Sequence, residues 1–525
     1  MRIARLVILI VWVAGTSLGA QGLNPSDLLH PRPGEWPMYN GDFTGRRFSA
    51  LSQINSGNVR RLALAWSFAT HEATIKSTPL EVNGILYFTV PDHVWALDAR
   101  TGREIWHFAR PSNGDHVGQR GVAMYKNRLF FGTTDAHLIC LDARSGEKLW
   151  DTVMADVAFD YYISAPPLVV NDKLMVGISG DGTDIQGFLS AVDPMTGRVL
   201  WRWDSVPKPG QPGFDTWPNA QAASHGGGTT WVTGTYDPDL NLIYWGTSNP
   251  HPVIAGATRK GANLYTCSLV ALNPDTGKMA WYYQLSPHDV HDWDANQTPV
   301  LIDGTFDGKP RKLVAQASKD GYYYLLDRVT GEHLLTAPFV DVNWASGLDE
   351  DGHPRPVPER QPQLQGALAM TGGTNWNAPS FDPDTQLFYV QAHEGFEVSY
   401  LTPAEKGEED HQGGATSNLW FQQLLVALDY KTGHVRWRYT MPSAANGGLG
   451  AGTAIGVLTT AGHILITGDN AGNAVALDPE TGHTLWHTEV GANVSGSPMT
   501  YEVEGRQYIL TAAGSVVYAF ALPES

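Results

Sequence analysis

One phrase recurs along this chain and constrains its fold more than any other feature. It reads "VWALDARTGREIW" at 94–106, "LICLDARSGEKLW" at 138–150, "LSAVDPMTGRVLW" at 189–201 and "LVALNPDTGKMAW" at 269–281. It returns as "YYLLDRVTGEHLL" (323–335), "LVALDYKTGHVRW" (425–437) and "AVALDPETGHTLW" (474–486). Each phrase predicts a hairpin. An apolar strand ends at Asp or Asn, a turn carries Thr or Ser followed by Gly, and a second strand ends in most cases at Trp. The Asx side chain can bond the turn backbone and Gly supplies the positive φ. A further strand pair such as "LEVNGILYFT" or "VVNDKLMVGI" precedes most phrases. Two pairs make a four-stranded unit that must stack on its neighbours to bury both faces.

Seven phrases predict seven sheets. The C-terminal "TYEVEGRQYILTAAGSVVYAFAL" supplies strands for an eighth, and "LALAWSF" near the start can complete it and close a ring. The expectation is an all-β, eight-bladed β-propeller in one domain. Repetition about an axis accounts for 525 residues without a split into several cores. The repeated turn glycines lie 44, 51, 80, 54, 102 and 49 residues apart. The two long gaps hold insertions, where ligand-facing loops are expected.

The N-terminus, "MRIARLVILIVWVAGTSLGAQG", places Arg2 and Arg5 before an apolar run and small residues after it. That is the layout of a secretory signal over residues 1–20, with an uncleaved anchor as the other reading. The expected location is periplasmic or secreted, with residues 21–525 as the mature domain and no membrane span within it. A net charge of −18 argues against nucleic acid as a partner. Cys140 and Cys267 both fall in strand-like runs, as buried thiols would. The absence of C-x-x-C-H excludes a covalently attached c-type haem, so electrons from any oxidation must leave to an external acceptor such as a soluble cytochrome c.

The repeated A-L-D-x-x-T-G-x-x-x-W phrase resembles the tryptophan-docking repeat of the quinoprotein alcohol dehydrogenases, which use pyrroloquinoline quinone (PQQ). Non-enzymatic scaffold propellers, such as those of outer-membrane assembly, carry the repeat too, so function rests on residues between the phrases. The stretch "SPHDVHDWDANQTPV" resembles the family's base motif, which implies that Asp294 takes the alcohol proton while Asp289, Asp292 and the histidines are structural. "YWGTSNPHP" resembles the metal loop and implies Asn249 as a ligand of Ca2+, with Asp294 beside it. "GGGTTW" implies Trp231 as the floor under the quinone, and "SKDGYYYLLD" implies Lys319 as a donor to its oxygens. Arg120 in "GQRGVAMY" matches a family arginine that meets a cofactor carboxylate. Ser164, Ser179, Gly180, Asn375 and Trp376 match further cofactor contacts.

The departures are as informative. The family's metal glutamate falls on Gly182, flanked by Asp181 and Asp184, either of which would have to reach the ion. A lid disulfide has Gly114-Asp115 in its place, and an acid near the first sheet is Lys76. Asn296 stands where lanthanide-using members carry a second Asp, which favours calcium. The resemblance thus implies PQQ-dependent oxidation of an alcohol. A scaffold propeller and a degenerate quinoprotein are the alternatives. Loops 341–365 and 401–420 are expected to shape the substrate pocket.

Overall fold

The computed structural model describes residues 22–111, 118–402, 412–442 and 455–524. The signal-like segment, Gly114-Asp115 and part of the 401–420 loop lie outside the described residues. Among them, eight sheets contain four or five strands and two small sheets contain two. The fold is an all-β propeller. Among the described residues α-helix is confined to Pro25–Leu29 and Ala220–Ser224.

The first sheet shows how the phrase builds one unit. Strands Leu80–Val82, Ile85–Val90, His93–Asp98 and Glu104–Ala109 pair antiparallel in chain order. The phrase forms the last two. Asp98 Oδ1 accepts from the backbone of Arg100 (3.1 Å) and Thr101 (2.9 Å), and Gly102 N donates back to Asp98 O at 2.8 Å. The same carboxylate- or amide-capped turn recurs at Asp142, Asp193, Asn273, Asp327, Asp429 and Asp478.

The indoles reach from one sheet to the next. Trp106 Nε1 donates to Ala143 O at 3.1 Å, Trp150 to Pro194 O at 3.3 Å and Trp201 to Pro274 O at 2.9 Å. Trp281 and Trp437 donate likewise to Arg328 O and Pro479 O. Each ring also covers the turn glycine of the following phrase. At Gly146, with φ +72°, a Cβ would stand 2.6 Å from the Trp106 ring, so glycine is required both for conformation and for space. The fifth phrase ends in leucines, and the next turn glycine, Gly433, packs on Ala337 instead.

A strand from the first part of the chain joins the last three strands in one sheet. Strand Ala63–Ala69 pairs antiparallel with Val516–Ala521, which continues through Arg506–Ala513 to Val494–Val503. Trp66 in this strand donates to Ala99 O at 3.2 Å and lies on Gly102. "LALAWSF" therefore supplies the Trp-bearing strand that the C-terminal segment lacks.

The 102-residue gap holds the largest departure from the regular unit. Its strands Leu387–Leu401 and Gly414–Asp429 contain 15 and 16 residues, against six in His93–Asp98. They form a hairpin that projects well beyond its sheet. The two cysteines are free thiols and fully buried.

Candidate active site

Most of the singled-out residues occupy loops at strand ends, whereas Ser179–Gly180 is itself a short strand. Arg120 precedes Ala123–Tyr125, Ser164 precedes Leu168–Val170, and Trp231 precedes Thr235–Asp237. Asn249 follows Leu242–Gly246, Asp294 precedes Val300–Phe306, Lys319 follows Lys309–Ala317, and Asn375 and Trp376 precede Ser380–Asp382. These loops are tied to one another. Thr78 N donates to Arg120 O and Arg120 N to Ser164 O, both at 3.0 Å, while Asn296 Nδ2 bonds Thr229 O and Gly246 O at 3.2 Å. A rigid scaffold carrying function on connected loops is the expected division of labour.

The first group centres on a buried guanidinium. Arg120 lies 4.9 Å from the Trp231 ring and 4.5 Å from the Trp376 ring. Its Nε and Nη1 are buried without a partner among the described residues. Burial pulls its pKa down to about 10, so the cation persists at neutral pH. Two orphaned cationic donors between half-buried indoles call for a flat anionic ligand, because a buried charge is costly until it is paired. Ser164 and Ser179 share a hydroxyl bond at 2.8 Å, and Ser164 Oγ donates to Trp231 O at 3.0 Å. Gly180 pairs with Tyr161 in a short two-stranded sheet. Asn375 Oδ1 accepts from Trp376 N at 2.9 Å, fixing the indole's backbone. A flat cofactor bearing a carboxylate would fit this surface.

The second group is an acid held between an amide and an ammonium. Asp294 Oδ1 accepts from Asn249 N at 3.0 Å, and its Oδ2 lies 3.7 Å from Lys319 Nζ. Lys319 Nζ makes its shorter contact, 2.7 Å, with Asp292. Burial raises the Asp294 pKa to about 7, against the opposing pull of Lys319. For Lys319 burial disfavours the charge, yet Asp292 and Asp294 outweigh it and hold the ammonium protonated. Asp292 is thus the partner of Lys319, a role that sequence reading did not assign.

The remaining members of the cluster shape the loop. Asp289 accepts from His291 N and Trp293 N, both at 2.9 Å. Arg259, fully buried, binds the carbonyls of Pro252, Val253 and Asp289, so it fastens the segment after Asn249 to the segment before Asp294. His291 stacks on Trp293 at 4.2 Å, and burial holds it neutral with a pKa of about 3.

The metal positions divide. Asn249 and Asp294 are neighbours and offer oxygen donors of the kind a hard cation takes. Asp181 accepts from Tyr162 Oη at 3.1 Å, which places it toward the Arg120 side. Asp184 is exposed and pairs with the half-buried His225, so it is turned toward the surface. At Gly182 a side chain would run into the carbonyl of Phe159, so the glutamate position is closed by backbone. No cluster of three His, Cys, Asp or Glu side chains able to hold a metal occurs among the described residues. Asn249 and Asp294 would hold a cation together with donors from a bound anionic ligand. Lys76, near Arg120, is half-buried and its pKa is lowered by burial and by that arginine.

Residues 36–347 and 425–509 match the family profile of the PQQ glucose/ethanol/alcohol dehydrogenase β-propeller domain. The chain belongs to this family. The quinoprotein alcohol dehydrogenase PedH of Pseudomonas putida is 34% identical, over 97% of this chain and 91% of that one. The solved quinohemoprotein alcohol dehydrogenase ADHIIG of Pseudomonas putida HK5 superposes with a TM-score of 0.89 at 30% identity, over 96% of this chain and 82% of that one. A europium-containing methanol dehydrogenase gives 0.86 at 29% identity, over 95% and 100%.

The family profile skips 348–424, and there the motifs singled out Asn375 and Trp376 but not Glu397. Glu397, in the long hairpin, is buried and feels the charges of Lys319 and Asp292; burial raises its pKa to about 7. The alternation "F-E-V-S-Y" at 396–400 is the signal that puts Glu397 and Ser399 on one face.

Proposed function

We propose that this dehydrogenase-family chain oxidises an alcohol to the aldehyde or ketone with PQQ and a cation, and passes the electrons to an external acceptor. The observation that carries the reading is the juxtaposition of Asp294 with Asn249 and Lys319. When bound, the quinone supplies an electrophilic carbon that accepts hydride. Asp294 receives the hydroxyl proton, for which a buried carboxyl with a pKa of about 7 is suited. Lys319, held by Asp292, donates toward the quinone oxygens. Arg120 pairs a cofactor carboxylate, and Trp231 and Trp376 offer ring faces, with Ser164, Ser179, Gly180 and Asn375 bounding the same surface. Asn249 and Asp294 hold the cation, with Asp181 as the further carboxylate through a shift of its loop. Asn296 favours calcium over a lanthanide.

In this reading the eight sheets are the blades of one ring spanning residues 21–525, and each tryptophan docks its blade on the next. The strand Ala63–Ala69 closes the ring. Residues 1–20 are an export signal for the periplasm or the exterior. No helix among the described residues is long and apolar enough to cross a membrane.

The test is thermal unfolding of the mature protein with PQQ, calcium or a lanthanide, both, and neither. A ligand that binds only the folded state raises the midpoint. The expected result is a rise that needs both and is lost in Asn249→Ala. No rise at saturating PQQ with any cation would favour a scaffold or degenerate propeller.

A further inference from the structure

In the first three repeated phrases, the residue before the phrase and the residue after it touch across the strand pair. In the second phrase they are His137 and Asp151, whose Nδ1 and Oδ1 lie 2.6 Å apart. In the third they are Phe188 and Arg202, whose guanidinium lies 3.5 Å from the ring centre. The fold thus brings these two positions together and leaves their chemistry open. In the first phrase both are histidine. His93 Nδ1 and His107 Nε2 lie 3.0 Å apart, joining strand His93–Asp98 to strand Glu104–Ala109.

Stacking holds both rings in place. His107 stands directly opposite Trp95 and stacks on it, with centroids 4.3 Å apart and planes 5° apart. His93 runs near-parallel to the same indole, at 5.5 Å and 14°. Trp95 is buried and stacks in turn on Phe88 at 5.4 Å. The two imidazole planes differ by only 18°, with centroids 5.2 Å apart, so the nitrogens meet edge to edge, one donating and one accepting.

This separation suits a shared metal ion. At the usual zinc–imidazole bond of about 2.0–2.1 Å, two nitrogens on one ion lie roughly 2.8–3.4 Å apart, from square-planar to tetrahedral geometry. The 3.0 Å between His93 and His107 falls in that range. Ion binding requires that the donating ring carry its proton on its other nitrogen, which leaves both facing nitrogens as ligands. Burial and the neighbouring His93 lower the His107 pKa, which favours the neutral form that binds metal. The charges of Glu104 and Glu72 act on the same ring and draw a cation toward it. Among the described residues no third His, Cys, Asp or Glu completes the set, so water fills the remaining positions.

We propose that His93 and His107 form a two-nitrogen site for a divalent ion of the zinc, nickel and copper class. The site shares no residue with the candidate cation position at Asn249 and Asp294, and it stands apart from the function proposed above. Imidazole suits these ions, whereas calcium takes oxygen ligands. The bound ion ties the last two strands of the first sheet to each other.

The experiment titrates Zn2+ into the intact protein by calorimetry, with calcium in excess to occupy oxygen sites. Wild type is compared with His93→Gln, His107→Gln and the double variant. Glutamine keeps a polar side chain at each position, and unfolding midpoints measured without zinc report that the variants fold. Wild type should bind one more equivalent of Zn2+ than either single variant, and the double variant should lose no more than each single one. Zinc should raise the wild-type unfolding midpoint, and the rise should shrink in all three variants. Equal zinc stoichiometry in wild type and either single variant would overturn the site. Loss of two equivalents in the double variant would overturn the sharing of one ion by the two rings.

Discussion

Asp294 and Glu81 are both buried carboxyls with raised pKa values, and they respond to pH in different observables. In the proposed mechanism Asp294 can serve as the base only when ionised. At limiting cation, turnover should rise with pH through about 7, and saturating divalent cation should move that rise to lower pH by favouring the carboxylate. A pH profile at two cation concentrations checks this, and a profile independent of cation would contradict the shared site. Glu81 is 1% exposed, accepts from Gly84 N at 2.7 Å, and is pushed up to about 8 by burial. The folded protein keeps a proton there that the unfolded chain releases above about 4.5. Its contribution to stability is therefore full below that value and lost as pH rises to about 8. Glu81→Gln should flatten this loss, on the order of 1–3 kcal/mol, in denaturant midpoints at pH 5 and pH 8. The motif residues were legible because each sits in a short local string. Asp292 and Glu397 were not, because what defines them is a partner, Lys319, that only folding brings near.

The repeated phrase was the most legible element, since its Asx, Gly and Trp each perform a fixed task in one turn and one contact. Gly146 meets both demands at once, a φ of +72° and a ring against its Cα. Gly146→Ala should cost about 2 kcal/mol or more in chemical unfolding. Trp106→Phe should cost roughly 0.5–1.5 kcal/mol, because Ala143 O loses its donor at 3.1 Å and keeps only Tyr87 Oη at 3.2 Å. Equal stability of either variant with wild type would show that the indole contact does not bind one sheet to the next. The long hairpin was not legible at this scale. Insertion length announced a departure at 331–433, but the pairing of Phe396 with Trp420 depends on a register between strands that no local pattern states.

At the scale of the molecule, the pairing of Ala63–Ala69 with Val516–Ala521 was readable from a mismatch. The last sheet lacked a Trp-bearing strand and the first segment had a spare one. Deleting the chain before Thr70 removes Ala63–Ala69 and leaves Val516–Ala521 as an open edge. The truncated protein should aggregate on size-exclusion chromatography, and a soluble monomer of unchanged midpoint would refute closure by this strand. The central claim is that the ring carries an alcohol-oxidising site with Asp294 as its base. Dye-linked oxidation of a primary alcohol, with PQQ and calcium or a lanthanide added, tests it by comparing wild type with Asp294→Asn. The account predicts turnover in wild type and a loss of about 10²–10⁴-fold in the variant. A variant as active as wild type, or a wild type inactive with every cation, would contradict it.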